Sequence, residues 1–88
     1  MPPVLQRVAP IAGDPEDRFT ALLGGDVFSH VTEVSFGSGI KVEFFAIVDD
    51  GNIEAKIRID RDAMPGPRDV TLTDASGPGT LPAGFHVR

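Results

Sequence analysis

From Ile53 to Asp60 the chain alternates without a break. Ile53, Ala55, Ile57 and Ile59 are apolar, and Glu54, Lys56, Arg58 and Asp60 between and after them are charged. Successive side chains of an extended strand point to opposite faces, so this pattern specifies a strand with one buried and one wet face. A helix would scatter the same residues around its axis. Immediately upstream stands Asp49-Asp50-Gly51-Asn52. An Asp-Gly pair readily takes the positive φ angles of a tight hairpin. Ile40 to Val48 then reads as the other arm of the hairpin, with Ile40, Val42, Phe44, Ala46 and Val48 expected on its inner face.

The rest of the chain divides in the same manner. Val4 to Ala9 reads as a strand ended by Pro10, and Ile11 to Glu16 as a loop. Phe19, Ala21 and Leu23 mark a second strand, stopped by Gly24-Gly25, and Val31 to Phe36 a third, broken by Gly37-Ser38-Gly39. Met64-Pro65-Gly66-Pro67 has the residues of a type II turn. Val70 and Leu72 point inward after it, Asp74 to Pro78 turns, and Phe85 and Val87 form a last inward pair. Phe28 is expected to plug the core, and Phe36, Phe44 and Phe85 to fill the space between sheets. Ala63 is small enough to tuck under a corner. The only place for a helical turn is Asp60 to Met64. Ten glycines and eight prolines among 88 residues supply the turns that so many short strands need. About seven short strands with no helical period imply an all-β fold of two antiparallel sheets packed face to face. Eighty-eight residues leave no room for a second core, so residues 1–88 form one domain.

Several segments together resemble a known family. Pro10 and Gly13 follow the first strand, and Leu23-Gly24 runs to Phe28. Val34-Ser35-Phe36-Gly37-Ser38-Gly39-Ile40-Lys41-Val42 comes next. Ala63-Met64-Pro65-Gly66-Pro67-Arg68-Asp69-Val70-Thr71-Leu72-Thr73 is the most specific stretch, followed by Gly77 and Gly84-Phe85-His86-Val87. Over nearly its whole length the chain resembles the IPT/TIG immunoglobulin-like domains of bacterial and phage proteins. The resemblance implies an immunoglobulin-like β-sandwich serving as a spacer, adhesive unit or interaction module, on a cell surface or a virion. It supplies no shared catalytic residue. The chain departs from the transcription-factor members in lacking basic DNA-contacting loops.

Charge and composition narrow the partners. A net charge of −5 repels phosphate backbones, which disfavours nucleic acid as a partner. No apolar run approaches the length that spans a bilayer, and Met1-Pro2-Pro3 lacks the basic and apolar regions of a signal peptide. The chain has no cysteine, which removes disulfides and thiolate metal sites. Asp49, Asp50, Asn52 and Glu54 offer oxygen ligands, but their spacing is not that of a calcium loop, and a solvated turn is the simpler reading. Asp60-Arg61-Asp62 carries its own neutralising cation. His30 and His86 stand without a nucleophile motif or companion ligands. Gly37-Ser38-Gly39-Ile40-Lys41 precedes a strand, where a phosphate loop opens a helix. No catalytic, cofactor or metal residue is therefore assigned.

The candidate contact residues are Phe45, Ile47 and Leu22, which fall out of phase with the expected inner faces. Contiguous exposed apolar residues mark contact surfaces. The expectation is a non-catalytic module that contacts protein, whether a neighbouring domain, itself or a virion lattice. The alternative is a carbohydrate-binding accessory domain of a glycoside-processing enzyme, weakened by the absence of Trp and Tyr.

Overall fold

The computed structural model describes residues 2–88, and among these it contains strands and turns but no helix. The strands are β1 (Val4–Ala9), β2 (Ala12–Gly13), β3 (Arg18–Asp26), β4 (Glu33–Ser35), β5 (Ile40–Asp49), β6 (Asn52–Ile59), β7 (Gly66–Asp74) and β8 (Gly77–Val87). They form two four-stranded sheets, ordered β1-β3-β6-β5 and β2-β8-β7-β4. All pairings are antiparallel except β2 with β8.

Eight strands stand where about seven were expected. The addition is β2, inside the segment Ile11 to Glu16 that reads as loop. Its two residues pair with His86 and Val87. The His86 amide donates to the Ile11 carbonyl at 2.8 Å and the Arg88 amide to that of Gly13 at 2.9 Å. Two residues carry no alternation, so the sequence holds no periodic signal for them. The second strand also runs further than expected, through Gly24 and Gly25 to Asp26. Glycine at 25 lets β1 come close: a Cβ there would lie 1.9 Å from the Val4 carbonyl oxygen. The turn at Asp60 to Met64 is a turn only, closed by the Ala63 amide donating to the Asp60 carbonyl at 3.1 Å.

One core joins the inner faces. Leu23, Ile53, Ile57 and Ile59 enter it from the first sheet and Val70, Leu72, Phe85 and Val87 from the second, all essentially inaccessible. Phe28 and Phe36 come from the connections and close it, and Ala63 is buried at its corner, as expected. The alternation of β6 is reproduced residue for residue: each apolar side chain is buried and each charged one exposed.

The partner arm β5 keeps the expected phase only for its first residues. Ile40 stands opposite Ile59 and Val42 opposite Ile57, but Phe44 stands opposite Lys56, so Glu43 is an extra residue in a β-bulge. A one-residue insertion exchanges the two faces of everything downstream. Phe45 therefore faces Ala55 and packs against the core, and Phe44 is turned out, 64% exposed. This reverses the expectation that Phe44 fills the interior and Phe45 points away. Val48 is 59% exposed, also against expectation. Ile47 stands opposite the buried Ile53 just before a second register shift, at Val48, which returns Asp49 to the outer face opposite Asn52, and it retains 37% exposure.

The reversal has a measurable consequence. Phe45→Asp places a carboxylate against apolar neighbours and removes a ring from the core, and is expected to cost about 2–4 kcal/mol. Phe44→Asp is expected to stay within about 0.5 kcal/mol of the parent, as surface changes do. Urea unfolding followed by circular dichroism compares the two. Equal midpoints for both variants would restore the unbulged phase.

Candidate functional site

The outer face of the β1-β3-β6-β5 sheet is the most distinctive surface of the molecule. The pairing places its side chains in rows across the strands. At the hairpin end lie Val4 with Asp26, then Arg7, Gly24, Asn52 and Asp49. The next row is Ala9, Leu22, Glu54 and Ala46. Thr20, Lys56 and Phe44 follow, and then Arg18, Arg58 and Lys41. Leu22 is 53% exposed here, as its off-phase position in β3 implies. Ala46 and Phe44 are neighbours on β5, whereas Leu22 lies two strands away on β3 beside Ala9, with Glu54 and Lys56 of β6 between, so the outward apolar residues form two small groups on this face. Of the three candidate contact residues, Leu22 lies on this face, whereas Phe45 and Ile47 belong to the opposite one. Phe44 takes the place expected of Phe45. The sequence signal for this was limited, because Phe44-Phe45-Ala46-Ile47-Val48 is apolar throughout and fits either phase.

Charge is unevenly spread along the same face. Arg18, Arg58 and Lys41 stand directly opposite one another on three adjacent strands, beside Lys56. Like charges placed so are mutually unfavourable. One relief is visible: the Arg18 guanidinium pairs with the Glu43 carboxylate at 3.2 Å, so the bulge residue lies beside the cationic row. At the hairpin end the charges are mainly acidic, with Asp26, Asp49 and Glu54 against Arg7.

The acidic hairpin turn is engaged in its own architecture. The Asp49 carboxylate accepts the Gly51 amide at 2.9 Å and the Asn52 side-chain amide at 2.8 Å. The Asp50 carboxylate accepts the Ser29 hydroxyl and, at 3.1 Å, the Ser29 amide, while its carbonyl takes the Phe28 amide. The turn thereby holds the β3–β4 connection and seats Phe28 in the core. The Ser29 hydroxyl, then the Ser29 amide, hold the Asp50 carboxyl below its ordinary 3.8. The Gly51 amide, then the Asn52 side chain, lower Asp49 in the same way.

A carboxyl depressed in the folded state contributes stability that is complete above its unfolded pKa and is lost as pH falls through its folded pKa. Ser29→Ala removes the leading cause at Asp50, so its folded pKa rises toward 3.8 and the stability it lends disappears at a higher pH. The acid-unfolding midpoint of Ser29→Ala, followed by circular dichroism below pH ~5, is expected to move upward relative to the parent. An unchanged midpoint would mean that this contact does not persist in solution.

Elsewhere the candidate groups stay apart. His30 lies exposed in the β3–β4 connection and His86 exposed on β8. Among the described residues no three of His, Cys, Asp and Glu come together to hold a metal. A shallow, polar cleft at the far end of β6 is lined by Glu16, Arg58, Ile59, Asp60, Arg61 and Asp62. Its charges are mixed, and Arg61 reaches Glu16 at 3.9 Å. The segment Gly37-Ser38-Gly39 is a turn into β5, as expected, with positive φ at both glycines.

That turn depends on a residue the sequence did not single out. The Arg68 guanidinium donates to the carbonyls of Ser38 at 2.8 Å, Met64 at 2.6 Å, and Gly66 and Pro67 at 3.2 Å each. One side chain thus ties the β4–β5 turn to the β6–β7 connection. Ser38 lies thirty positions away in sequence, so no local pattern announces the contact.

Neither a family model nor a curated protein sequence matches the chain. The functional reading therefore rests on the geometry described above and on the residues of the sequence.

Proposed function

We propose that the chain is a non-catalytic immunoglobulin-like module of the IPT/TIG kind, used as a spacer or adhesive unit through contact with protein. The strand order is the observation that carries the reading. In the immunoglobulin arrangement the first, second, fifth and fourth strands make one sheet, and the third, sixth and seventh the other. If β2 is taken as the short end of the first strand crossing to the opposite sheet, β1-β3-β6-β5 and β8-β7-β4 follow that order. The β2–β8 pairing then extends the second sheet by two residues. The outward, exposed Leu22 and Phe44 on an otherwise charged sheet support contact with protein.

The exposed Phe44 ring also favours a second reading, carbohydrate binding, since sugars stack on exposed aromatic faces. An amide-shift titration with soluble cellulose, chitin and mannan oligomers separates the two. The protein-contact reading expects no saturable shift on β5 or β6. A saturable shift centred on Phe44 would replace it with the carbohydrate reading.

A further inference from the structure

We infer that the outer face of the β1-β3-β6-β5 sheet is a self-association surface, and that its occupant is a second copy of this chain related by a two-fold axis. The inference deepens the protein-contact reading proposed above and rests on it. It follows from the order of charges along β6 and its neighbours. Going from the hairpin end, the face presents Asp26, Asp49 and then Glu54, flanked by Leu22 and Ala46, followed by Lys56 beside Phe44 and then Arg58, Arg18 and Lys41. Acid stands at one end and base at the other, with Arg7 and Glu43 the minority charge at each. Such a face repels a copy laid on it in the same direction. It complements a copy laid on it in the opposite direction, which brings each acidic end over a basic end. A two-fold axis gives that second arrangement, because an isologous interface pairs residue i with j and j with i.

The pairing rows fix where the axis passes. Leu22 and Ala46 lie in the Glu54 row, and Phe44 lies in the neighbouring Lys56 row. An axis across the strands between these rows lays β5 over β5 and stacks each Phe44 against the Ala46 of the other copy. It also sets Glu54 of one copy near Lys56 of the other, twice. The cationic row gains a role as well: three like charges held side by side are relieved when an acidic end covers them. An interface of ordinary size needs about 800 Å² from each partner. That is about a sixth of the 4888 Å² surface. Its charges are exposed, so the dimer is reversible and weakens as salt screens it.

Sedimentation equilibrium with interference optics tests this, since the chain has no Trp or Tyr to absorb at longer wavelength. The parent is expected to move from the 9.3 kDa monomer toward twice that mass as concentration rises, and back as sodium chloride is added. Phe44→Asp is expected to raise the dissociation constant at least about tenfold. Glu54→Lys and Lys56→Glu are each expected to weaken self-association, and an equimolar mixture of the two to restore it. In that mixture both cross-pairs become Lys with Glu again, an outcome that no loss of folding can imitate. Circular dichroism melts of each variant confirm that the fold is kept. A parent that stays monomeric at every concentration overturns the inference. So does a dimer insensitive to Phe44→Asp, or a mixture of the charge variants that fails to associate. None of these results touches the oligosaccharide titration, so the module reading stands or falls separately.

Discussion

Phe85→Ala is expected to lower the unfolding free energy by about 3–5 kcal/mol. The ring is wholly buried on β8. It meets Phe36 edge-on, with centroids 5.5 Å apart and planes at 80°, and Phe19 at 6.1 Å in a tilted contact. The three rings come from three different parts of the chain: β3, the stretch after β4, and β8. Truncating the middle one removes burial, two ring–ring contacts and the packing of both neighbours at once. A domain of 88 residues has about 5–10 kcal/mol in total, so about a third or more of its stability depends on this side chain. The expected result in urea is a transition shifted to markedly lower denaturant, with an unchanged slope where a baseline can still be fitted. Phe85→Leu keeps most of the volume and is expected to cost about 1–1.5 kcal/mol. A loss below about 1 kcal/mol for Phe85→Ala would mean that the site collapses around the gap and that the three rings are not a structural unit.

The contrast between β5 and β6 explains how far the sequence reached. In β6 every apolar residue is separated by a charged one, so burial on the wrong face would bury Glu54, Lys56 and Arg58, and the phase has one solution. In β5 five apolar residues follow one another, and burying either face costs almost the same. The phase was decided there by Glu43, a bulge residue whose carboxylate meets Arg18 across the sheet. That contact is tertiary and has no sequence neighbourhood to read. The same holds for Arg68, whose carbonyl partners lie on two connections, and for β2, which exists because β8 offers it an edge. The candidate surface was legible to a similar degree. Leu22 is flanked by inward residues on both sides, so its outward direction is legible in the sequence. The outward aromatic of β5 is Phe44, one position from the Phe45 to which plain alternation points. The charge gradient along the sheet was invisible until pairing brought Arg18, Arg58 and Lys41 into one row.

The junction between the two sheets gives the second large effect. Gly79 on β8 stands opposite the buried Leu72, so the position faces inward. A Cβ built there would lie 1.8 Å from the Pro3 carbonyl oxygen and 2.8 Å from its carbon. The obstacle is backbone, which cannot step aside as a side-chain tip can. Pro3 is itself buried and leads directly into β1, which lies along β8. Gly79→Ala must therefore push the start of β1 away from the second sheet, loosening Leu5 and Val8, and is expected to cost about 3 kcal/mol. Gly77, two residues earlier, supplies the control. Its φ is +123° and no atom lies within 4 Å of a built Cβ, so Gly77→Ala tests conformational strain without a clash. That change is expected to cost about 1 kcal/mol. Urea unfolding ranks the two, and a Gly79→Ala cost no greater than that of Gly77→Ala would reject the steric account. A double-mutant cycle sharpens it. In a chain beginning at Val4 the obstructing carbonyl is gone, so Gly79→Ala should there cost less than half as much as in the parent. An undiminished cost would place its origin in β8 itself and not in the contact between the sheets.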